Sequence, residues 1–168
     1  KPSTPENILL GYGIVKIDSQ PIGLTRGGSS FTIEREVRNI EADGDKGTVR
    51  GRVVIDTEES MLTVNALEMF TQEEVTKFFP ALKNTEGSLK STLTITEEDY
   101  HEVTWEGKTL SGNPITIKLP HALNKENLEL TLEDKNEVVP ELTFTGTYDE
   151  ADREGSSFEI IFGTKVGE

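Results

Sequence analysis

Residues 23–52 read "GLTRGGSSFTIEREVRNIEADGDKGTVRGR", and the eight residues "SFTIEREV" (30–37) inside that stretch decide the fold class. Phe31, Ile33 and Val37 fall on one side of an extended chain, with Thr32, Glu34 and Glu36 on the other. That is the two-residue period of a half-buried strand. Past Val37 the pattern ends, and Arg38 to Arg52 is charged and glycine-rich, too poor in apolar residues to hold a core.

Alternation recurs along the rest of the chain. It predicts strands at "LKSTLTIT" (Leu89, Leu93, Ile95), "EVTW" (102–105), "PITIKL" (Ile115, Ile117, Leu119) and "NLELTL" (Leu128, Leu130, Leu132). Two more follow at "ELTFTGTY" (Leu142, Phe144, Tyr148) and "SSFEIIF" (Phe158, Ile160, Phe162). "RVVIDTEESMLTVNALEM" (52–69) reads as two strands around an acidic turn at Glu58-Glu59. "YDEADREGSS" (148–157) reads as a polar hairpin connection between the last two strands. Short β-branched runs separated by Gly, Asn or Pro predict a mainly β fold, an antiparallel sandwich or barrel.

One segment departs from that period. In "FTQEEVTKFF" (70–79), Thr71 stands three residues before Glu74, a capping-box spacing, and Val75, Phe78 and Phe79 follow at helical spacing. The spacing predicts one short helix over about 71–79, stopped near Phe79 by Pro80 and packed on the sheet by its apolar stripe.

The length of 168 residues fits a single domain over 1–168, and no internal repeat is visible. Lys plus Arg is 17 and Asp plus Glu is 31, a formal net charge of −14. Such a surface repels phosphate, which argues against specific DNA or RNA binding and against docking on anionic membranes. With no cysteine, thiolate metal sites and cysteine nucleophiles are excluded. No apolar run reaches membrane-span length, and "KPSTPENILLG" contains nothing like a secretory core segment.

The chemistry-bearing residues form no familiar constellation. His101 and His121 fit no metal-ligand spacing. Counted from Glu41, a calcium loop would need its glycine at Lys46 and its last carboxylate at Arg52. Ser29 and Ser30 lack a nucleophile elbow. The expectation is no enzyme, no catalytic residue, no metal and no cofactor. The charged segment itself keeps two readings. It is a mobile polar hairpin tip, or its mixed charges form a self-complementary surface for a copy of the same chain.

The order of motifs resembles the major tail (tail tube) proteins of long-tailed bacteriophages and prophages. The likeness rests on "KPSTPENILLGYGIVKID" and "IGLTRGGSSFTIEREVRNIEADGDKGTVRGRVVIDTEESMLTVNALEM". It consists of a Gly-x-Gly strand, Gly-x-Thr-Arg-Gly-Gly, an acid-rich strand, an Asp-Gly-x-x-Gly loop, and a strand leading to a short helix. It covers residues 1 to about 82. "LTFTGTYDE" near the end is similar but less distinctive, and "GYG" departs from the usual small residue between the glycines.

The resemblance implies a β-sandwich whose copies form rings, usually of six, stacked into a hollow tube through which DNA passes without being specifically bound. It places the subunit in the virion tail, and in the host cytoplasm during assembly. Its partners would be copies of itself, a tail initiator or baseplate, and a terminator. The loop over 38–52 would reach the next ring through Arg38, Glu41, Asp43, Asp45, Lys46, Arg50 and Arg52, and reversing Arg50 and Arg52 together should block tube growth. The arm over residues 1–10, stiffened by Pro2 and Pro5, would add a contact.

Glu34, Glu36 and Asp56 are the candidates for the lumen wall, where carboxylates would keep DNA from adhering. The same three residues also fit an ordinary solvated face, and strand register decides between the two. The alternative function is a monomeric β-sandwich binding module of a surface or secreted protein, taking a sugar or peptide on loop tips or on Trp105 and Tyr100.

Overall fold

We describe the fold from a computed structural model, which covers residues 2–167. Lys1, in the expected N-terminal arm, and Glu168, at the end of the tail, lie outside the described residues. The longest element pair is the one the opening stretch begins. Strand β3 (Thr25–Asn39) pairs antiparallel with β4 (Val53–Ala66), Phe31 opposite Leu62 and Ile33 opposite Ser60.

β4 runs straight through Glu58-Glu59, where a turn was expected. Adjacent residues on a strand face opposite ways, and each acid has its own cation. Glu58 meets Arg35 at 2.6 Å and Glu59 meets Lys125 at 3.3 Å. Paired in this way, the two acids stay within the ladder. A bulge lies just beyond: Glu36 opposes Thr57 but Val37 opposes Ile55, which leaves Asp56 as the extra residue.

Before this pair come β1 (Leu9–Ile17) and the two-residue β2 (Gln20–Pro21). After it come helix α1 (Gln72–Phe78), β5 (Leu82–Thr85), β6 (Ser88–Ser91), β7 (His101–Thr109), β8 (Pro114–Leu123), β9 (Glu141–Gly146) and β10 (Glu159–Phe162). β5 and β6 form a small separate hairpin. The other eight strands make one antiparallel sheet, ordered β2-β1-β7-β8-β9-β4-β3, with β10 also on β8. The sheet ends at β2 and β3 without joining them, so it is an open, folded sheet and not a closed barrel.

The fold line is β8. One of its edges carries β7. The other carries β10 along Ile115–Lys118 and β9 only at Ala122 and Leu123. β9 and β10 therefore both pair with β8 and not with each other, so residues 148–157 cross a split in the sheet and are not a hairpin turn. The two halves enclose one core, with Val15, Ile17, Val103, Trp105 and Leu119 from one side and Leu62, Val64, Leu142 and Phe144 from the other.

Gly13 and Gly107 face each other across β1 and β7, and the indole of Trp105 lies on both. A Cβ at either position would fall within the ring. The Gly-x-Gly opening is thus explained for its second glycine by the tryptophan that covers it.

Helix α1 forms as the sequence predicts. The Thr71 side chain accepts from the Glu74 N–H at 3.2 Å, Phe78 is buried, and the helix stops before Phe79. Buried Asn124 donates its Nδ2 to the Phe78 carbonyl at 2.9 Å, satisfying an acceptor at the helix end. Thr71→Ala should cost about 1 kcal/mol. Asn124→Ala, which orphans a buried carbonyl, should cost about 1–3 kcal/mol, and urea denaturation measures both.

Three other expectations fail for local reasons. "LKSTLTIT" is extended only to Ser91. Beyond it the Ser91 and Thr92 hydroxyls accept from the N–H groups of Leu93 and Thr94, and the Leu93 side chain is 92% exposed. "NLELTL" is not a strand: it pairs with none of the described strands, and only Leu128 packs on the core. Tyr148 lies outside β9 and is exposed.

Candidate functional site

β3 is the outermost strand of its half, and β4 pairs with β9 only as far as Met61 opposite Thr145. From Glu34–Glu59 outward the β3–β4 pair therefore continues as a two-stranded arm with no third strand beside it. Alternation gives the arm two unlike faces.

One face continues the core side of the sheet. It carries the ion pair Arg35–Glu58, then Val37 opposite Ile55 and Asn39 opposite Val53. Val37, Val53 and Ile55 are each 47–58% exposed. Val37, read from the sequence as core, has no opposing layer here. The other face carries Glu34, Glu36 and Arg38. Register thus puts two of the three expected wall residues together, on the face away from the apolar one. The third, Asp56, is held by both guanidinium nitrogens of Arg38, at 3.0 and 3.2 Å. That fork raises the Arg38 pKa above its ordinary value, chiefly through the hydrogen bond to Asp56.

The segment expected to span 38–52 as a loop is shorter, because Arg38 and Asn39 belong to β3. The true connection, 40–52, has its own bonding. The Ile40 N–H donates to the Arg52 carbonyl at 2.8 Å, and the Val49 N–H donates to Asn39 Oδ1 at 3.3 Å. Asp45 Oδ2 accepts from the Ala42 N–H at 2.8 Å and from Arg52 Nη2 at 2.7 Å. These bonds favour the ionised carboxylate, so the Asp45 pKa is lowered, first by the Ala42 N–H and then by Arg52.

A depressed carboxylate stabilises the folded loop above its unfolded pKa, and that contribution is lost as pH falls through the folded pKa. In Arg52→Gln the Asp45 midpoint should rise yet stay below the ordinary carboxylate value, because the larger cause, the Ala42 bond, remains. A carboxyl-carbon NMR titration reads this directly.

Of the seven residues expected to contact a neighbouring ring, Arg38, Asp45 and Arg52 are thus occupied within the subunit. Glu41, Asp43, Lys46 and Arg50 are exposed and belong to no ion pair among the described residues. Reversing Arg52 would open the loop as well as change its surface, so Lys46 and Arg50 are the informative pair to alter.

The expected N-terminal arm is tied down from Glu6 onward. The Glu6 and Ile8 carbonyls accept from Ser111 and Leu110, leaving Ile8 and Leu9 half exposed. His101 Nδ1 lies 2.8 Å from Asp18 Oδ2, and its strand partner is Ala122, the neighbour of His121. Trp105 is buried and presents no platform. Among the described residues no group of three His, Asp or Glu side chains converges to hold a metal. Sequence reasoning missed the arm's apolar face, although "RVVID" carried the signal: three consecutive apolar residues cannot all face one core from a strand. In comparison with known proteins, the chain matches no family model and no curated sequence.

Proposed function

We propose that the chain is a structural subunit that assembles with copies of itself into stacked rings, forming a tube that conducts DNA as in a phage tail. The observation that carries this reading is the arm. It presents a stripe of three half-exposed aliphatic side chains, Val37, Val53 and Ile55, on a two-stranded ribbon, a form marginal in water on its own. A neighbour packed on that stripe would remove the exposure and stiffen the ribbon.

Two further features support association. The outer edge of β3 is unpaired over a 15-residue strand, and β1 meets β2 only at Lys16 and Ile17. Long open edges accept another strand, and a subunit with two of them can close a ring head to tail. The face bearing Glu34 and Glu36 then suits a wall that DNA slides past without binding. The subunit works through its surfaces, without catalysis, and its other partners would be proteins that start and end the tube, in the host cytoplasm and then in the virion tail. Among the described residues no helix is long and apolar enough to cross a membrane.

Negative-stain electron microscopy and sedimentation velocity over a range of protein and salt concentrations test the proposal. Hollow rings or tubes are the expected result. A species that stays monomeric at the highest concentrations and at every salt level overturns it.

A further inference from the structure

The arm ends in Lys46 and Arg50, which belong to no ion pair among the described residues, on a protein with a net charge of −14. On the body of the molecule, a cleft of about 400 Å³ opens where β9 ends. It is lined by Tyr100, Tyr148, Glu97, Asp149, Glu150 and His121. Its floor is fixed, because Thr147 donates both its N–H, at 3.0 Å, and its hydroxyl, at 2.6 Å, to the His121 carbonyl. The cation near its rim is Arg153, 3.4 Å from Glu150, and both side chains are more than three-quarters exposed. An exposed pair of that kind is worth little and is readily exchanged.

We infer that the arm tip docks through Lys46 and Arg50 into this cleft on a second copy of the chain. The carboxylates match the charge, and the phenol rings give a guanidinium or ammonium group a face to lie against. Among the described residues no hydrogen bond or ion pair joins the tip to the cleft of its own subunit. Thr145 is level with Met61, and the strand from there to Val53 extends roughly 26 Å before the tip begins. An otherwise acidic subunit also attracts a basic tip from a distance, so the contact should weaken as salt rises. The inference rests on the self-assembly reading and adds to it the receiving surface.

The absence of native cysteines makes the test direct. An affinity-tagged Lys46→Cys variant is mixed with untagged Glu150→Cys and oxidised; the control pairs it with Glu133→Cys, at an exposed acid elsewhere. The mixed disulfide should form about tenfold faster at the cleft than at the control, the gain expected from a raised local concentration. Equal rates overturn the inference.

A second arm reverses the charges. Lys46→Glu/Arg50→Glu should lose assembly, and adding Asp149→Lys/Glu150→Lys in the same chain should restore it. Assembly by the first double variant, or failure of the fourfold variant to recover it, also overturns the inference. Wild-type association is followed in parallel. If the wild type associates while the cross-link rates are equal, only the docking site is wrong. If the wild type never associates, the assembly reading fails with it.

Discussion

Trp105→Ala is expected to remove about 3–5 kcal/mol of stability, enough to unfold most of a marginal domain at ordinary temperature. Trp105 is buried in the core between the two halves of the sheet, and its indole fills the space that Gly13 and Gly107 leave open. Truncation leaves a void with no side chain on either glycine to collapse into it. The reciprocal changes should also be costly. Gly107→Ala or Gly13→Ala puts a methyl where ring carbons already lie and should cost about 1–3 kcal/mol through displacement of the indole.

Gly11 separates this account from a general intolerance of the opening strand, because a Cβ there meets nothing within 4 Å. Gly11→Ala should fall within about 0.5 kcal/mol of the parent. Urea denaturation of the four variants measures the series. A Gly13→Ala protein as stable as Gly11→Ala would show that the indole does not rely on that gap.

Most of the sheet was legible because its strands obey a strict period. Ile115, Leu119, Leu142 and Phe144 each sit where alternation predicts, and the Thr71–Glu74 spacing marks the helix start within a residue. What could not be read was pairing. Alternation in "NLELTL" matches that in "PITIKL", but only the second is paired, with β7 and β10. The acids at Glu58-Glu59 look like a turn until their cations, Arg35 and Lys125, are known, and one of those lies more than sixty residues away in the chain.

The candidate site shows the same divide. Its charged tip was evident in composition. Which of its charges are already spent was not, since that depends on Asp45 reaching Arg52 and Arg38 reaching across a bulge to Asp56. The apolar side of the arm depends on where the flanking strands stop, and that is a tertiary fact.

The apolar side also gives the assembly proposal its largest expected effect. Val37→Thr combined with Ile55→Thr should raise the protein concentration needed for assembly by about 30- to 100-fold. Burying the lost aliphatic surface is worth roughly 2–3 kcal/mol in total, and each 1.4 kcal/mol is a factor of ten. Threonine is chosen because it keeps the β-branched shape that a strand favours and adds no charge, so the arm should still form. Both side chains are more than half exposed in the isolated subunit, so its thermal unfolding should shift by only a degree or two.

Leu93→Thr is the control. That leucine is more exposed than either and lies away from the arm, after β6, so its loss should leave assembly unchanged. The comparison separates burial at a specific face from a general effect of surface hydrophobicity. If the arm variant and the Leu93 variant assemble alike, the stripe is a solvated surface and the contact between subunits must be carried by the strand edges alone.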